Sequence, residues 1–284
     1  MITISWQGTN FKTEAILSYL RGPDHPMKIR LMRAVISTLF SKGVMVKNQL
    51  GSKIRVQPYD YIDWSILSTG SYEGQTLARA VEILSKNGGA FLDIGANFGL
   101  FTCSLGVLPK VECYAVEPCA KNFFLLTENL ALNPEIKARL FNVALDNTHR
   151  LFELENINTG NSGAARVLLE DKQSNSYYHT VAATTLEELL SYAKVKSIKL
   201  MKIDVEGYEP LILEGLDWNG KFRPDNVIIE FTDYSSRSKG SGRKSILDFF
   251  INRGYEGLTV NGQTFSVEQN LPEDNAWFRD LTRC

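Results

Sequence analysis

The feature that most constrains the fold is a short apolar segment that runs through an acidic residue into a glycine-containing turn. The segment Phe91-Leu-Asp-Ile-Gly-Ala-Asn-Phe-Gly99 predicts a buried strand, a turn and the start of a helix. Asp93 is expected at the carboxyl end of this strand, the edge at which open α/β sheets bind ligands. Gly95 and Gly99 allow the backbone to turn sharply and to approach a ligand without an intervening Cβ. The segment therefore predicts an α/β sheet with a ligand at this turn, and a glycine turn that serves only packing is the alternative.

The glycine spacing and the acidic residue indicate which ligand the turn binds. A dinucleotide site uses the pattern Gly-x-Gly-x-x-Gly to cradle a pyrophosphate, whereas Asn97 stands at the middle position here. Asp93 would repel phosphate and attract an ammonium or sulfonium group. S-adenosylmethionine presents such a group, so the turn favours S-adenosylmethionine over a dinucleotide as the cofactor.

Further polar residues follow the next two predicted strands. The segment Val111–Pro118 predicts a second buried strand, and Glu117 near its end follows Asp93 by 24 residues. That interval is close to the roughly 20 residues that precede an acidic contact to ribose hydroxyls in nucleotide-binding units. Asn142 and Ala144 lie near the end of a third predicted strand, where they could flank an adenine ring. The three residues extend the predicted nucleoside site, although Glu117 could equally be an exposed residue at a strand end.

Three more carboxylates are expected at the same edge of the sheet. A fourth predicted strand leads into Asp204 and Glu206, and a fifth, over Asn226–Thr232, has Glu230 near its end. Acids at a strand tip are costly when they are buried. Because open α/β sheets bind ligands at the carboxyl ends of their strands, this grouping favours a functional site.

Together these segments resemble the FkbM family of S-adenosylmethionine-dependent methyltransferases, and the resemblance covers most of the chain. The segments that carry it are Gly70-Ser-Tyr-Glu73, Asp93-Ile-Gly-Ala-Asn-Phe-Gly99, Glu117-Pro118, Asn122-Phe123, Asn129-Leu130, Asn142-Val-Ala144 and Lys202-Ile-Asp-Val-Glu-Gly-Tyr-Glu209. The resemblance implies transfer of a methyl group, usually to a hydroxyl oxygen of a sugar, glycan or secondary metabolite. It also suggests that Glu73 contacts the methionyl amine or closes the pocket.

The expected fold is α/β, with a Rossmann-like class I methyltransferase sheet that is mostly parallel and closes with an antiparallel hairpin. The hairpin is predicted over Leu258–Val260 and Thr264–Val267, around the type I′ turn signal Asn261-Gly262. Residues 89–284 are the predicted S-adenosylmethionine-binding methyltransferase domain.

The chain before residue 89 has a different pattern. Residues 1–88 are predicted to form a helical and hairpin extension or cap. Its predicted elements are amphipathic helices over 11–21 and 27–42 and a hairpin over 44–58.

The expected mechanism is in-line displacement at the sulfonium methyl by an acceptor oxygen. Alignment of the reactants and exclusion of water supply most of the rate, and a hydroxyl also needs a base or a metal ion to take its proton. Asp204, Glu206 and Glu230 are the candidate catalytic residues, and Asp204 is best placed to reach both donor and acceptor. No metal ligands are predicted, because the histidines show no paired spacing; a divalent cation held by the three carboxylates is an alternative.

Two polar loops are candidates for contact with the acceptor. An insertion over 151–181 contains Asn161 and Ser162 in a run of small and turn-forming residues. Residues 234–244 are rich in glycine and serine and could form a lid over an anionic acceptor. The basic residues of this loop are Arg237, Lys239, Arg243 and Lys244. Solvated loops are the alternative in both places.

The composition agrees with an enzyme that acts on small molecules or glycans and not on nucleic acid. The 284 residues are 44% apolar and carry a formal net charge of −1, which leaves no overall basic footprint. No apolar run reaches the roughly 18 residues of a transmembrane helix, and no signal-peptide pattern opens the chain, so a cytoplasmic location is expected. The oligomeric state is left open. Two alternatives are a nicotinamide-dependent oxidoreductase on a Rossmann-like sheet and a non-catalytic protein that binds S-adenosylmethionine or a partner.

Overall fold

The computed structural model describes residues 4–23, 25, 27–40, 43–57, 60–155, 166–167, 178–232 and 242–283. The acceptor contacts predicted for Asn161 and Ser162, and for Arg237 and Lys239, lie outside the described residues. In the N-terminal part the elements are β1 Trp6–Gly8, α1 Phe11–Arg21, α2 Lys28–Leu39, β2 Val44–Asn48, β3 Lys53–Val56, α3 Tyr61–Thr69 and α4 Gly74–Ser85. The two predicted helices and the hairpin are present, and β1 adds a third antiparallel strand to the hairpin.

Both strands and helices continue through the rest of the described chain. The elements are β4 Gly89–Ile94, α5 Leu100–Gly106, β5 Val111–Val116, α6 Ala120–Ala131, β6 Ala138–Phe141, β7 Ala144–Leu145, β8 Arg150–Glu155, β9 Arg166–Val167, β10 Tyr178–Thr184, α7 Leu186–Tyr192, β11 Leu200–Ile203, α8 Glu209–Glu214, β12 Asn226–Glu230, α9 Arg243–Ile251, β13 Tyr255–Thr259 and β14 Asn275–Asp280. Seven strands form one sheet in the order β13-β14-β12-β11-β4-β5-β6. The five strands from β12 to β6 are parallel, and β14 is antiparallel to both of its neighbours. The expected mostly parallel sheet with an antiparallel closing pair is therefore confirmed.

The closing pair does not use the strand that the sequence pattern predicts. The turn at Asn261-Gly262 forms, with the Gly262 N–H donating to the carbonyl of Thr259, and Gly262 has a φ of +82°. However, the residues after this turn do not return as a strand, and β13 pairs with β14, further along the chain. The prediction of a strand over Thr264–Val267 is wrong because pairing partners in a sheet are chosen by tertiary packing and not by the nearest tight turn.

The third predicted strand is also divided in two. β6 ends at Phe141 on the edge of the large sheet, and β7 begins at Ala144 and pairs with β10 in a separate four-stranded sheet of order β7-β10-β8-β9. The exposed Asn142 lies between the two strands. The chain therefore changes sheets at this residue.

Apolar side chains bury both faces of the large sheet. In β11, Leu200, Met201 and Ile203 have no exposed surface, and burial of each such side chain stabilises the fold by about 1.5–3 kcal/mol. Leu200 joins a core that includes Trp6 of the N-terminal extension, whereas Met201 and Ile203 join a core with residues of α7, α8 and α9. The extension and the sheet thus share one hydrophobic core. No helix within the described ranges is long and apolar enough to cross a membrane.

Candidate active site

A cavity of about 550 Å³ lies at the carboxyl ends of the parallel strands, a volume typical of small-molecule sites. Nine of the eleven residues predicted for the site line it: Glu73, Asp93, Gly95, Asn97, Glu117, Ala144, Asp204, Glu206 and Glu230. Gly99 and Asn142 are not among the lining residues. The fold therefore brings together residues that are spread over more than half of the sequence.

The turn after β4 brings the chain against the end of β11. Gly95 has a φ of +81°, and a Cβ at this position would lie 1.9 Å from the carbonyl oxygen of Asp204. Only glycine accepts both this dihedral angle and this close approach. Gly99 packs instead of lining the cavity, since a Cβ there would lie 2.5 Å from Cδ1 of Leu126 in α6. The two glycines thus fix the shape of the turn.

Asp93 belongs to the cavity lining, although almost none of its surface is exposed. Its side chain is buried, and its Oδ2 accepts a hydrogen bond of 2.6 Å from the Thr102 hydroxyl of α5. Burial raises the pKa of Asp93 above its ordinary value, and the neighbouring Lys202 ammonium and the Thr102 hydroxyl offset only part of this rise. Asp93 is one residue before the end of β4, close to the predicted position at the carboxyl end of the strand.

Glu117 is fixed by two backbone N–H groups directly after β5. Its Oε2 accepts from the N–H of Asn97 and its Oε1 from the N–H of Cys119, each at 2.8 Å. Burial raises the pKa of Glu117 to about 7, although both hydrogen bonds act in the opposite direction. The carboxylate therefore faces the cavity in a fixed orientation, as contacts to a ribose diol require.

Asn142 has a different place from the one predicted. Its amide donates to the carbonyl oxygens of Glu117 and Pro118 at 2.8 and 3.1 Å. The side chain therefore stabilises the turn that carries Glu117. It does not line the cavity, since β6 ends at Phe141 and Asn142 lies just beyond the strand. Ala144 lines the cavity as expected, beside Val143.

An aromatic and aliphatic wall faces this part of the cavity. Phe152 of β8 and Tyr208 both line it, and their rings meet edge to face with centroids 5.6 Å apart. Together with Val143 and Ala144 they form an apolar surface next to the fixed Glu117. A flat heterocycle with a polar ribose fits this combination of surfaces.

Lys202 is the most important site residue that sequence reasoning missed. Its Nζ lies 2.6 Å from Oδ2 of Asp204 and 3.6 Å from Oε2 of Glu73. Among the described residues that line the cavity, Lys202 carries the only basic side chain. The available signal was a lysine within the otherwise apolar strand Leu200–Ile203, since lysine is almost never fully buried unless it is paired.

The remaining predicted carboxylates, Glu206 and Glu230, also line the cavity. Glu206 is exposed and has a left-handed φ of +55°. Burial raises the pKa of Glu230 to about 8, and the charges of Asp204, Glu209 and Glu206 add to this effect. Eight acidic side chains and only one basic side chain, that of Lys202, stand among the described lining residues, and this composition favours a cationic ligand over a pyrophosphate.

A distant segment completes the wall near Glu73. Glu273, Asp274 and Asn275 line the cavity, and the Glu273 carboxylate accepts the N–H groups of Gln75 and Thr76 at 3.0 and 2.8 Å. This carboxylate therefore caps the N-terminus of α4 directly after Glu73. Sequence reasoning had no signal for this contact, because its partners are almost 200 positions apart.

The buried acceptor atoms show that the cavity fits S-adenosylmethionine. Oε2 of Glu73 and Oδ1 of Asn97 are buried without a hydrogen-bond partner, and such atoms in a cavity wall are suited to a ligand's donors. The ammonium, sulfonium and ribose hydroxyls of S-adenosylmethionine match this acidic, acceptor-rich surface.

Two further expectations concern a lid and a metal ion. Arg243 and Lys244, the basic residues of the predicted lid that the structure describes, do not line the cavity. Lys244 pairs with Asp248 at 2.8 Å, and Arg243 donates to the carbonyl of Gln269. Within the described ranges, no group of three or more His, Cys, Asp or Glu side chains is arranged to hold a metal ion.

The fold and this site define a methyltransferase that uses S-adenosylmethionine. The family model of the FkbM methyltransferase domain matches residues 93–256. The chain therefore belongs to the FkbM methyltransferase family, as its motifs indicate, and not to the nicotinamide-dependent oxidoreductases. A search of curated proteins gave no significant match.

Solved structures with a similar fold are also methyltransferases. The METTL16 methyltransferase domain is 11% identical, with 95% of this chain and 80% of that chain covered and a TM-score of 0.45. Precorrin-6y C5,15-methyltransferase from Geobacter metallireducens is 11% identical, with 72% and 87% covered and a TM-score of 0.40. An rRNA methylase from Streptococcus thermophilus is 12% identical, with 73% and 95% covered and a TM-score of 0.38. At these identities and scores the structures say nothing about the acceptor.

Proposed function

We propose that the protein methylates a hydroxyl oxygen of a sugar, glycan or secondary metabolite in the cytoplasm. The observation that carries this proposal is that Asp204, Glu206 and Glu230 all line the cavity at the ends of the neighbouring strands β11 and β12, with Asp204 next to the turn at Gly95. A hydroxyl is a weak nucleophile that must lose a proton as it reacts, and a nearby carboxylate can accept that proton. The acceptor side of the cavity is thus suited to oxygen methylation.

The donor side of the cavity supplies orientation. We assign Glu117 to the ribose hydroxyls, Ala144 to the adenine ring, and Asp93 and Glu73 to the positive charge of the methionyl part. Gly95, Asn97, Gly99 and Asn142 fix the backbone around these contacts. When bound, S-adenosylmethionine supplies a methyl group activated by a positively charged sulfur, and the chain's own residues align the acceptor with it.

Two carboxylates share the handling of the acceptor's proton. Asp204 is only partly exposed, with 29% of its side-chain surface accessible, and Lys202 fixes one of its oxygens. It is our candidate for the base. Glu230 has a pKa of about 8, so it exchanges protons near neutral pH and can pass a proton onward to solvent. Glu206, which is exposed at the mouth, is assigned to contacts with acceptor hydroxyls.

The acidic wall also bears on the class of acceptor. A nucleic acid would bring a phosphate backbone to a surface with many carboxylates and a single lysine among the described lining residues, and binding of such a backbone depends on neutralisation by basic side chains. A neutral polyol avoids this repulsion. The cavity therefore supports a sugar-like acceptor better than a polynucleotide.

The test is a methyl-transfer assay with isotopically labelled S-adenosylmethionine and a panel of neutral sugars, glycans, hydroxylated small molecules and RNA. Asp204→Asn is the matched variant, since it keeps the side-chain volume and removes the base. Label in an O-methyl group that depends on Asp204 supports the proposal. Transfer to carbon, nitrogen or RNA would contradict it. Calorimetric binding of the donor without transfer to any acceptor would favour the non-catalytic alternative.

A further inference from the structure

Three carboxylates from separate segments surround the ammonium of Lys202. Glu73 precedes α4 in the N-terminal extension, Asp93 lies in β4, and Asp204 follows β11; we call these residues the acidic trio. Two of them are ion-paired with Nζ, Asp204 at 2.6 Å and Glu73 at 3.6 Å. Asp93 is the register partner of Lys202 across β4 and β11. The lysine thus lies where the extension, the donor strand and the acceptor strand meet.

The surroundings of this ammonium are almost dry. Lys202 is only 4% exposed, and its Nζ lies 4.5 Å from the ring centroid of Phe101 in α5. Burial alone would lower the pKa of Lys202, but the three carboxylates outweigh it and raise that pKa above its ordinary value. The lysine is therefore charged at neutral pH.

A buried ion pair of this kind is a poor way to stabilise a fold. Removing two charges from water costs several kcal/mol per ion, and an apolar side chain of similar volume often stabilises equally well. A methionine would fit the neighbouring Phe101. The charge of Lys202 therefore acts on the neighbouring carboxylates and does not serve the stability of the hydrophobic core.

We propose that Lys202 is a positioning residue that assembles the active site by holding Glu73 of the extension against Asp204 of the catalytic strand before the donor binds. The proposal rests on the proposed function, in which Glu73 contacts the donor and Asp204 the acceptor. Lys202 also lowers the pKa values of Glu73 and Asp93, which burial raises, and the cavity has no other basic side chain among its described lining residues. Without this ammonium, burial and the neighbouring carboxylates would favour protonation of Glu73 and Asp93.

Several titratable groups face the acidic trio. They are Tyr72 before α4, Glu273 before β14, Glu117 after β5, and Glu206 and Glu230 near Asp204. With Lys202 in place, burial raises the pKa of Glu73 to about 7. At pH 8 Glu73 of the wild type is therefore about nine-tenths ionised. Loss of the ammonium would move the pKa values of Glu73 and Asp93 further upward and increase their protonation at pH 8.

The experiment counts protons by calorimetric titration with S-adenosylmethionine, at pH 8 in buffers of different ionisation enthalpy. The variants are Lys202→Met, the charge-conserving Lys202→Arg, and Lys199→Met as a control. Lys199 is also a lysine next to β11, but it pairs with Asp225 at 3.1 Å, away from the cavity. Lys202→Met should release about half a proton or more beyond wild type per donor bound, whereas Lys199→Met should match wild type.

The pH dependence of affinity gives a second readout. The ratio of the dissociation constants of Lys202→Met and wild type should fall by about tenfold or more from pH 7 to pH 9, as Glu73 and Asp93 of the variant ionise. Titration of the ligand itself cancels in this ratio. Recovery of the wild-type proton count in Lys202→Arg would support the proposal. An unchanged proton count together with a constant affinity ratio would overturn it. If wild type binds no donor, the proposed function fails instead.

Discussion

Replacement of Gly95 by alanine tests the close approach of the two loops that form the cavity. The added Cβ would lie 1.9 Å from the carbonyl oxygen of Asp204, which is 1.5 Å short of the 3.4 Å at which ordinary contact begins. Because the neighbour is backbone, it cannot rotate away, and the end of β11 must move. We expect overpacking to cost about 1–3 kcal/mol, in addition to about 1–2 kcal/mol for an alanine at a left-handed φ.

Gly51→Ala separates these two costs. Gly51 has a φ of +93° in the turn between β2 and β3, and a Cβ there would meet no atom within 4 Å. The Gly51→Ala control should therefore lose only the roughly 1–2 kcal/mol of stability that an alanine at a left-handed φ costs. Urea unfolding of both variants measures the difference directly, and calorimetry with S-adenosylmethionine measures its effect on the donor. Displacement of the Gly95 turn, which lines the cavity around the donor contacts, should lower donor affinity in Gly95→Ala by about tenfold or more, with no change in Gly51→Ala. Equal stability and equal affinity of the two variants would refute the reasoning.

Three further predictions concern the buried polar groups of the site. Thr102→Val should cost about 1.5–3 kcal/mol of stability, because it removes the hydroxyl that donates to the buried Asp93 carboxylate. Glu273→Ala should cost about 0.5–2 kcal/mol and weaken donor binding, because it uncaps α4 next to Glu73. The free energy of unfolding of the ligand-free protein should fall as the pH rises from 5 to 8. Glu117 and Glu230 have folded-state pKa values of about 7 and 8 against an ordinary 4.5, so the folded state binds more protons across this range and loses that stabilisation as they leave.

Matched variants and unfolding curves check these three expectations. Thr127→Val removes an exposed helix hydroxyl that donates to a carbonyl of its own helix, and it should change stability by less than about 0.5 kcal/mol. Glu268→Ala removes an exposed glutamate from the loop before Glu273 and should leave both stability and donor binding unchanged. A loss in either control as large as in its partner would contradict the assigned contact. The pH expectation is wrong if the double variant Glu117→Gln, Glu230→Gln keeps the slope of the wild type.

Periodicity and turn chemistry were sufficient to predict the centre of the fold. β4, β5, β11 and β12 are short apolar runs that end in acidic residues, and parallel strands that are buried on both faces have this appearance in any sequence. Because the carboxyl ends of parallel strands meet at one edge, the acids after them converge, which is why Asp93, Glu117 and Asp204 line one cavity. These parts of the site follow from local pattern and topology together.

The parts that the sequence did not predict depend on contacts between distant segments. The partner of β13 is chosen by packing and not by the turn at Asn261-Gly262, and Glu273 finds α4 only in the folded chain. Lys202 was overlooked for a related reason: two of the three carboxylates that explain its charge, Glu73 and Asp93, come from distant places in the chain. Single-sequence patterns describe what a segment prefers, and they carry little information about which distant group will satisfy it.

Residues with strained backbone conformations are concentrated around the cavity. Of the seven non-glycine residues with positive φ in the described chain, five line the cavity: Glu73, Asn97, Glu206, Glu273 and Asp274. A non-glycine residue in the left-handed region costs about 1–3 kcal/mol and persists only where the surrounding structure enforces it. Four of these five carry carboxylates, so most of this strain lies at residues that give the cavity its acidic lining. The packed turns around the cavity hold these residues in backbone conformations that they would not adopt alone. The carboxylates are therefore already in place before a cationic donor binds.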